Sequence, residues 1–222
     1  MGCLLVSDTQ SKDPVLELFL ETFDKNGSTA TTGDEISHKG RENICLTSTS
    51  LGYGEILPES MITVIQDLKK RKLIPGLGAI IYDLGSGSGR TLFAASLAHE
   101  FAEAVGIEVV DSLHNHALHN LSLWETKRKS TTKSNTRFKF ICDDFRNVNV
   151  AKADLIICHA TLFDNDLMAS IQLMAESCAS GTVFMIISKR LRTGHITGIK
   201  TITSKQLPMS WGVGTVTIQV KV

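Results

Sequence analysis

The stretch Ile80-Ile81-Tyr82-Asp83-Leu84-Gly85-Ser86-Gly87-Ser88-Gly89-Arg90 decides the fold. Ile80, Ile81 and Tyr82 form a short apolar and aromatic run of the kind that becomes a buried strand, and Asp83 ends it. Gly85, Gly87 and Gly89 then fall at every second position, and Leu92 opens a helical pattern that lasts to Phe101. Strand, glycine turn and helix together let a backbone press close to a small ligand. The spacing Asp-x-Gly-x-Gly-x-Gly differs from the Gly-x-Gly-x-x-Gly that cradles a dinucleotide pyrophosphate. An acid just ahead of the first glycine repels a pyrophosphate and suits a ligand that carries positive charge. The plain alternative is a glycine turn that holds nothing.

Outward from this turn, strand and helix patterns alternate. Residues 103–107 read as a second strand with Glu108 at its end, followed by a helix over about 111–127. Residues 137–142 read as a third strand, followed by Asp143-Asp144-Phe145. Residues 154–159 form a fourth, 165–178 a helix, and 182–188 a fifth. The tail, 200–203 and 214–222, alternates like an antiparallel pair. Upstream, Pro58 opens a helix whose Met61, Val64, Ile65 and Leu68 recur at helical spacing, and Asp13-Pro14 starts another. Residues 24–50, rich in Ser, Thr, Gly, Asn and charge, read as a polar loop or lid. The expected architecture is an α/β, doubly wound, mostly parallel seven-stranded sheet spanning residues 51–222. Residues 1–50 are expected to add a small extension of one helix and a lid-like loop. Ligands of such sheets bind beyond the C-terminal strand ends. The glycine turn, Glu108, Asp144 and His159 occupy four successive ends.

Those positions carry a coherent chemistry. Glu108 follows Gly89 by 19 residues, where a carboxylate accepts hydrogen bonds from both ribose hydroxyls of an adenosine. Asp144 is placed for the adenine amine, and Phe145 for the ring face. With Asp83, Gly85, Ser86 and Gly87, they describe an adenosine slot beside a methionine-binding turn. The expected cofactor is S-adenosylmethionine, and the expected enzyme a methyltransferase rather than a dehydrogenase.

Composition removes other classes. The 222 residues carry 23 basic and 23 acidic side chains, a formal net charge of 0, so no whole-molecule field announces a nucleic-acid binder. No apolar run has the length of a membrane span. The five cysteines, Cys3, Cys45, Cys142, Cys158 and Cys178, lack Cys-x-x-Cys spacing and read as small hydrophobes in a reducing compartment; Cys142 and Cys158 are expected to be buried. Met1-Gly2-Cys3 hints at myristoylation, but Val6 stands where that pattern wants Ser or Thr. His114, His116 and His119 share a helix without acidic or cysteine partners at ligand spacing, and no metal site is expected. Lys127, Arg128, Lys129, Lys133, Arg137 and Lys139 form the densest basic run, either a solvated loop or a weak contact for DNA.

A family resemblance rests on further motifs. Tyr53-Gly54-Glu55, a following helix, Asp83-Leu84-Gly85-Ser86-Gly87, Gly106-Ile107-Glu108, Asp144-Phe145, the strand from Gly181 to Lys189 and Ser210-Trp211 occur in the order seen in the non-SET histone lysine methyltransferases. The chain resembles this disruptor-of-telomeric-silencing type from Tyr53 to its end. The resemblance implies methyl transfer to a core lysine of histone three, a nucleosomal partner and a nuclear location; a protein directed elsewhere is expected in the cytoplasm. It implies that Tyr53 and Glu55 close over the methionine end of the cofactor, with Glu55 recognising its ammonium. It also implies that Trp211 and Phe163 line the lysine channel. His159-Ala160-Thr161-Leu162-Phe163 departs from the family's Asn-Asn-Phe-x-Phe, keeping the final Phe, and Ile218 replaces a channel tyrosine. His159 offers one donor and one acceptor to cofactor or substrate. The alternatives are a class I methyltransferase acting on a non-histone protein or a small molecule, and a non-catalytic module of the same fold.

Overall fold

The computed structural model describes residues 14–43, 53–131 and 134–222. At its centre lies β1 (Ile80–Leu84), flanked by β2 (Glu103–Glu108) and β4 (Leu155–His159), both parallel to it. The sheet order is β3-β2-β1-β4-β5-β7-β6, with β3 at Arg137–Cys142, β5 at Val183–Ile187, β6 at Ile199–Met209 and β7 at Gly212–Lys221. The order reverses between β1 and β4, which is the topological switch point. Among the described strands, β7 alone runs against the others, slotted between β5 and its hairpin partner β6. The expected seven-stranded α/β architecture is thus observed. The hairpin extends well past 200–203, since the polar edge strand β6 carries Lys205, Gln206 and Pro208 and loses the alternation that marks a half-buried strand.

The pleat separates the two faces. Ile81 joins an apolar cluster with Met61, Ile65 and Leu68 of α3 (Pro58–Lys70), Leu92 and Phe93 of α4 (Arg90–Ala98) and Trp124 of α5 (Asp111–Thr131). Tyr82 and Leu84 face the opposite cluster, which includes Ile171 and Ala175 of α6 (Asn165–Ser177). Helix starts follow local chemistry: Pro58 holds the first turn of α3, and the Asp164 carboxylate accepts from the Leu167 amide to cap α6. Among the described residues, no helix is long and apolar enough to cross a membrane.

Residues 24–43 correct the loop expectation. After α1 (Pro14–Thr22), a short 3-10 turn at Asp24–Asn26 leads into α2 (Ala30–Asn43), a helix of fourteen residues. Intrinsic propensity works against it, with two glycines and four Ser, Thr or Asn residues. Thr29 caps it, its hydroxyl accepting from the Thr32 amide. Gly33, Ser37 and Gly40 are buried along one face. That face fits against Tyr53 and α5, where a Cβ on Gly40 would stand 2.1 Å from the Ser112 hydroxyl. The helix is therefore held by tertiary contact. Cys142 corrects a second expectation: it is exposed at the end of the edge strand β3, while Cys158 on β4 is buried. Cys3 and Cys45 lie outside the described residues, as do the lipidation reading and the remainder of the 24–50 segment.

Candidate active site

A cavity of about 340 Å³ opens at the C-terminal ends of β1, β2, β3 and β4. Of the residues singled out in the sequence, Tyr53, Gly85, Gly87, Glu108, Asp144, Phe145, His159 and Phe163 line it. Glu55, Asp83, Ser86 and Trp211 do not.

The glycine turn excludes a phosphate cradle. The Gly85 and Ser86 amides both donate to the Ile107 carbonyl at 2.9 Å, Gly89 donates to Ser86, and Gly87 donates to Glu108. These four amides are spent inside the protein, so they offer nothing to a pyrophosphate. Gly87 adopts φ +53°, and a Cβ there would lie 2.6 Å from the Tyr53 ring; both conformation and clearance require glycine.

Glu108 is fixed from two sides. One carboxylate oxygen accepts from Gly87 at 2.8 Å, the other from the Val110 amide at 2.8 Å. Each oxygen keeps a second lone pair, as ribose hydroxyls require. Burial raises its pKa, opposed by those amides.

Asp83 lies deeper, 1% exposed, and neither oxygen has a hydrogen-bond partner among the described residues. Burial first, then the charges of Glu108 and Glu55, push its pKa well above the ordinary carboxylate range. A buried carboxyl in this condition is costly unless it meets a cation or a donor. The Ser86 hydroxyl next in the turn is likewise buried and unpartnered.

Glu55 is committed elsewhere. One oxygen accepts from the hydroxyls of Tyr53 and Ser88, and the other accepts from Arg90 Nε at 2.9 Å. With its charge paired and its side chain off the cavity wall, it positions Tyr53 rather than presenting a free carboxylate. Asp83, by contrast, has no such partners among the described residues. Tyr53 fills the space above Gly87, and burial raises its phenol pKa.

Asp144 is less available than its position suggests. Arg146 Nε reaches both of its oxygens at 2.9 Å and the Arg146 amide donates to one, which lowers the carboxyl pKa. Phe145 and Phe163 stack with ring centroids 5.9 Å apart and planes 13° from parallel, forming an aromatic wall. The lining includes five carboxylates, Glu108, Asp143, Asp144, Asp164 and Asp166, against one cation, Arg146.

His159 Nε2 is buried with no partner among the described residues, and burial lowers the imidazole pKa to about 4. The ring is therefore neutral at physiological pH. Thr161 bonds the hydroxyl of Ser188, a non-glycine residue at φ +67°. Trp211 sits in the turn between β6 and β7, 44% exposed, with its indole against Gly54, where a Cβ would come within 2.4 Å.

Arg90 and Arg146 escaped the sequence reading. A signal for Arg90 existed: a cation in the first turn of an apolar helix opposes the helix dipole and demands acidic partners.

Residues 46–220 match the family model for "Histone methylation protein DOT1", more than three quarters of the chain. The chain belongs to that family. The DOT1-family match takes in every element around the cavity, while α1 and α2 lie ahead of it. A histone-lysine N-methyltransferase, H3 lysine-79 specific, from Eremothecium gossypii is 27% identical over 152 residues, 64% of this chain and 25% of that protein. The chain thus spans about a quarter of that relative's length. Among solved structures, magnesium protoporphyrin IX methyltransferase from Synechocystis PCC 6803 with bound S-adenosylmethionine superposes with a TM-score of 0.53 and 13% identity, over 74% of this chain and 79% of that one. A methyltransferase from Geobacter sulfurreducens in complex with S-adenosyl-L-homocysteine gives 0.52 and 18%, over 78% and 74%. At these identities the likeness establishes that the DOT1-family chain has the class I methyltransferase fold.

Proposed function

We propose that this chain is an S-adenosylmethionine-dependent protein lysine methyltransferase directed at a core lysine of histone three. One observation carries the reading: at the switch point, Glu108 is pinned with lone pairs to spare, and Asp83 is buried beside the same glycine turn without a hydrogen-bond partner among the described residues. A zwitterionic adenosine ligand with an ammonium and a sulfonium answers both. Glu108 would hold the ribose, Asp83 the ammonium, Phe145 and Phe163 the adenine face, and Tyr53 with Gly54 the methionine end. Gly85, Ser86 and Gly87 shape the floor. The bound cofactor supplies an electrophilic methyl group.

The chain's own residues then orient and shield. The neutral His159 offers an acceptor to the incoming amine, and its lowered pKa of about 4 makes it a weak base, so it positions rather than deprotonates. A water-poor channel favours the uncharged lysine amine. Placement of the amine in line with the methyl group does much of the work. The acidic lining favours a basic protein segment and a cationic cofactor. Trp211 and Leu162, both exposed beside the site, are suited to contact the substrate protein.

Histone specificity implies a nuclear location and a role in chromatin regulation. Lys127, Arg137 and Lys139 supply a candidate weak DNA contact. Within this run, Arg128 binds Glu125 and the carbonyls of Ser134 and Thr136, and Arg137 Nε donates to the Ala102 carbonyl at 3.3 Å. The side chain of Lys129 and residue Lys133 lie outside what the structure describes.

A second reading, a non-histone protein acceptor, draws on Trp211 standing off the cavity wall. The test is transfer of radiolabelled methyl groups to nucleosomes, free histones and unrelated proteins. Label on histone three supports the first reading and label on another protein the second. Cofactor binding without any transfer would leave a non-catalytic module.

A further inference from the structure

The glycine turn is tied to the N-terminal layer by a side chain that no site assignment covers. Arg90, at the start of α4, is 6% exposed. Its Nε donates to Glu55 at 2.9 Å, and its Nη1 donates to Asp24 at 2.9 Å and to the Ser28 carbonyl. Its guanidinium lies 4.8 Å from the Phe19 ring centroid, on α1. Glu55 in turn accepts from Tyr53, two residues away. The Tyr53 ring is wedged between two glycines: one edge faces Gly33 of α2 and the other Gly87 of the turn, at 2.5 and 2.6 Å from where their Cβ atoms would be. Tyr53 and Gly54 line the cavity.

We infer that Arg90 is a positioning residue for cofactor binding, clamping the Tyr53-Gly54-Glu55 turn between the glycine turn and residues 14–43, so that this N-terminal layer forms part of the site. The inference rests on the cofactor reading above. The physical reason is charge and reach. Asp24 and Glu55 are 31 positions apart in the chain, and a planar guanidinium with several donors bridges them where an ammonium could satisfy one at a time. Without it, Glu55 is left buried and uncompensated near Asp83, and the turn has reason to swing out toward water. The layer it anchors lies outside the span matched by the family model. The clamp therefore joins a segment ahead of the matched span onto a cavity built within it.

Titration calorimetry with S-adenosylhomocysteine tests this on the full chain, with Glu108→Ala as the comparison for a direct contact. Arg90→Gln is expected to weaken binding about tenfold or more at a temperature where circular dichroism shows the variant folded. Arg90→Lys is expected to recover part of that loss. Asp24→Asn, which touches only the outer end of the clamp, is expected to weaken binding about three- to tenfold. Amide hydrogen exchange should rise together in 30–43 and 53–57 of Arg90→Gln, with β1, β4 and β5 unchanged. A lower melting temperature with unchanged affinity would show a merely structural ion pair and overturn the inference. Should Arg90→Gln fail to fold, Asp24→Asn decides: unchanged affinity sinks the clamp. If the wild-type protein binds no S-adenosylhomocysteine, the cofactor reading itself fails, and this inference falls with it.

Discussion

Three side chains at the strand ends carry distinct electrostatic tasks, and each predicts a measurement. Glu108 is held by two backbone amides, so Glu108→Ala removes a fixed acceptor; binding of S-adenosylmethionine should weaken by about 1–3 kcal/mol in calorimetry. Asp83 is buried without a hydrogen-bond partner among the described residues, and its pKa is raised well above the ordinary carboxylate range. A cationic ligand favours the ionised form, so binding should expel a proton. Affinity should tighten as pH rises toward the free-state pKa and level off above it. Asp83→Asn should flatten that slope; an unchanged slope would separate Asp83 from the ammonium. His159 has the opposite character. Its pKa of about 4 lies below the ordinary 6.5, so between those values the unfolded chain binds more protons. Its contribution to stability is full above about pH 6.5 and is lost as pH falls toward 4. The difference in unfolding free energy between wild type and His159→Asn should vary in that window and be constant above it.

The informative element is α2, because its residues argue against a helix and its surroundings impose one. Its buried Gly33, Ser37 and Gly40 let it approach Tyr53 and α5 closely. A Cβ on Gly33 would meet the Tyr53 ring at 2.5 Å. Gly33→Val should therefore cost about 1–3 kcal/mol in urea unfolding, the usual penalty of overpacking. It should also weaken cofactor binding, since the ring it displaces covers the glycine turn. Stability and affinity that both stay at wild-type values would show that α2 moves aside freely. The β6–β7 hairpin places Trp211 against Gly54, so the last turn of the sheet braces the same Tyr53-Gly54-Glu55 segment from the other side. The Ser210 amide donates to the Glu55 carbonyl at 2.8 Å, and the Ser210 hydroxyl accepts from the Glu55 amide at 3.1 Å.

Across the whole molecule, the N-terminal layer and the sheet share one core. Phe23 stacks on Trp124 of α5 at 5.9 Å with the planes 7° apart and also meets Phe93 of α4. Phe23 is fully buried, so Phe23→Ala should destabilise by about 3–5 kcal/mol. Because one cluster links α1, α4 and α5, Trp124 fluorescence and far-ultraviolet circular dichroism should report the same lowered midpoint. Separate transitions would show that residues 14–43 unfold alone.

The chain's local pattern was enough for the parallel strands, the glycine turn and the carboxylate at the end of β2. Each is written in residues close together: runs of Ile and Val, alternate glycines, an acid closing a strand. Periodicity and residue chemistry act over a few positions, and a single sequence displays them. What only the tertiary structure decided depends on residues far apart. Gly33 against Tyr53 makes α2 a helix where composition suggested a loop, and the Arg90 bridge to Asp24 and Glu55 takes Glu55 out of the cavity. Even Asp144, found at its expected strand end, has its carboxylate engaged by Arg146, because side-chain direction after a turn is not a property of spacing. The sequence determined where the site lies; the packing of distant segments decided which side chains there are engaged, and it left Asp83 buried with no hydrogen-bond partner among the described residues.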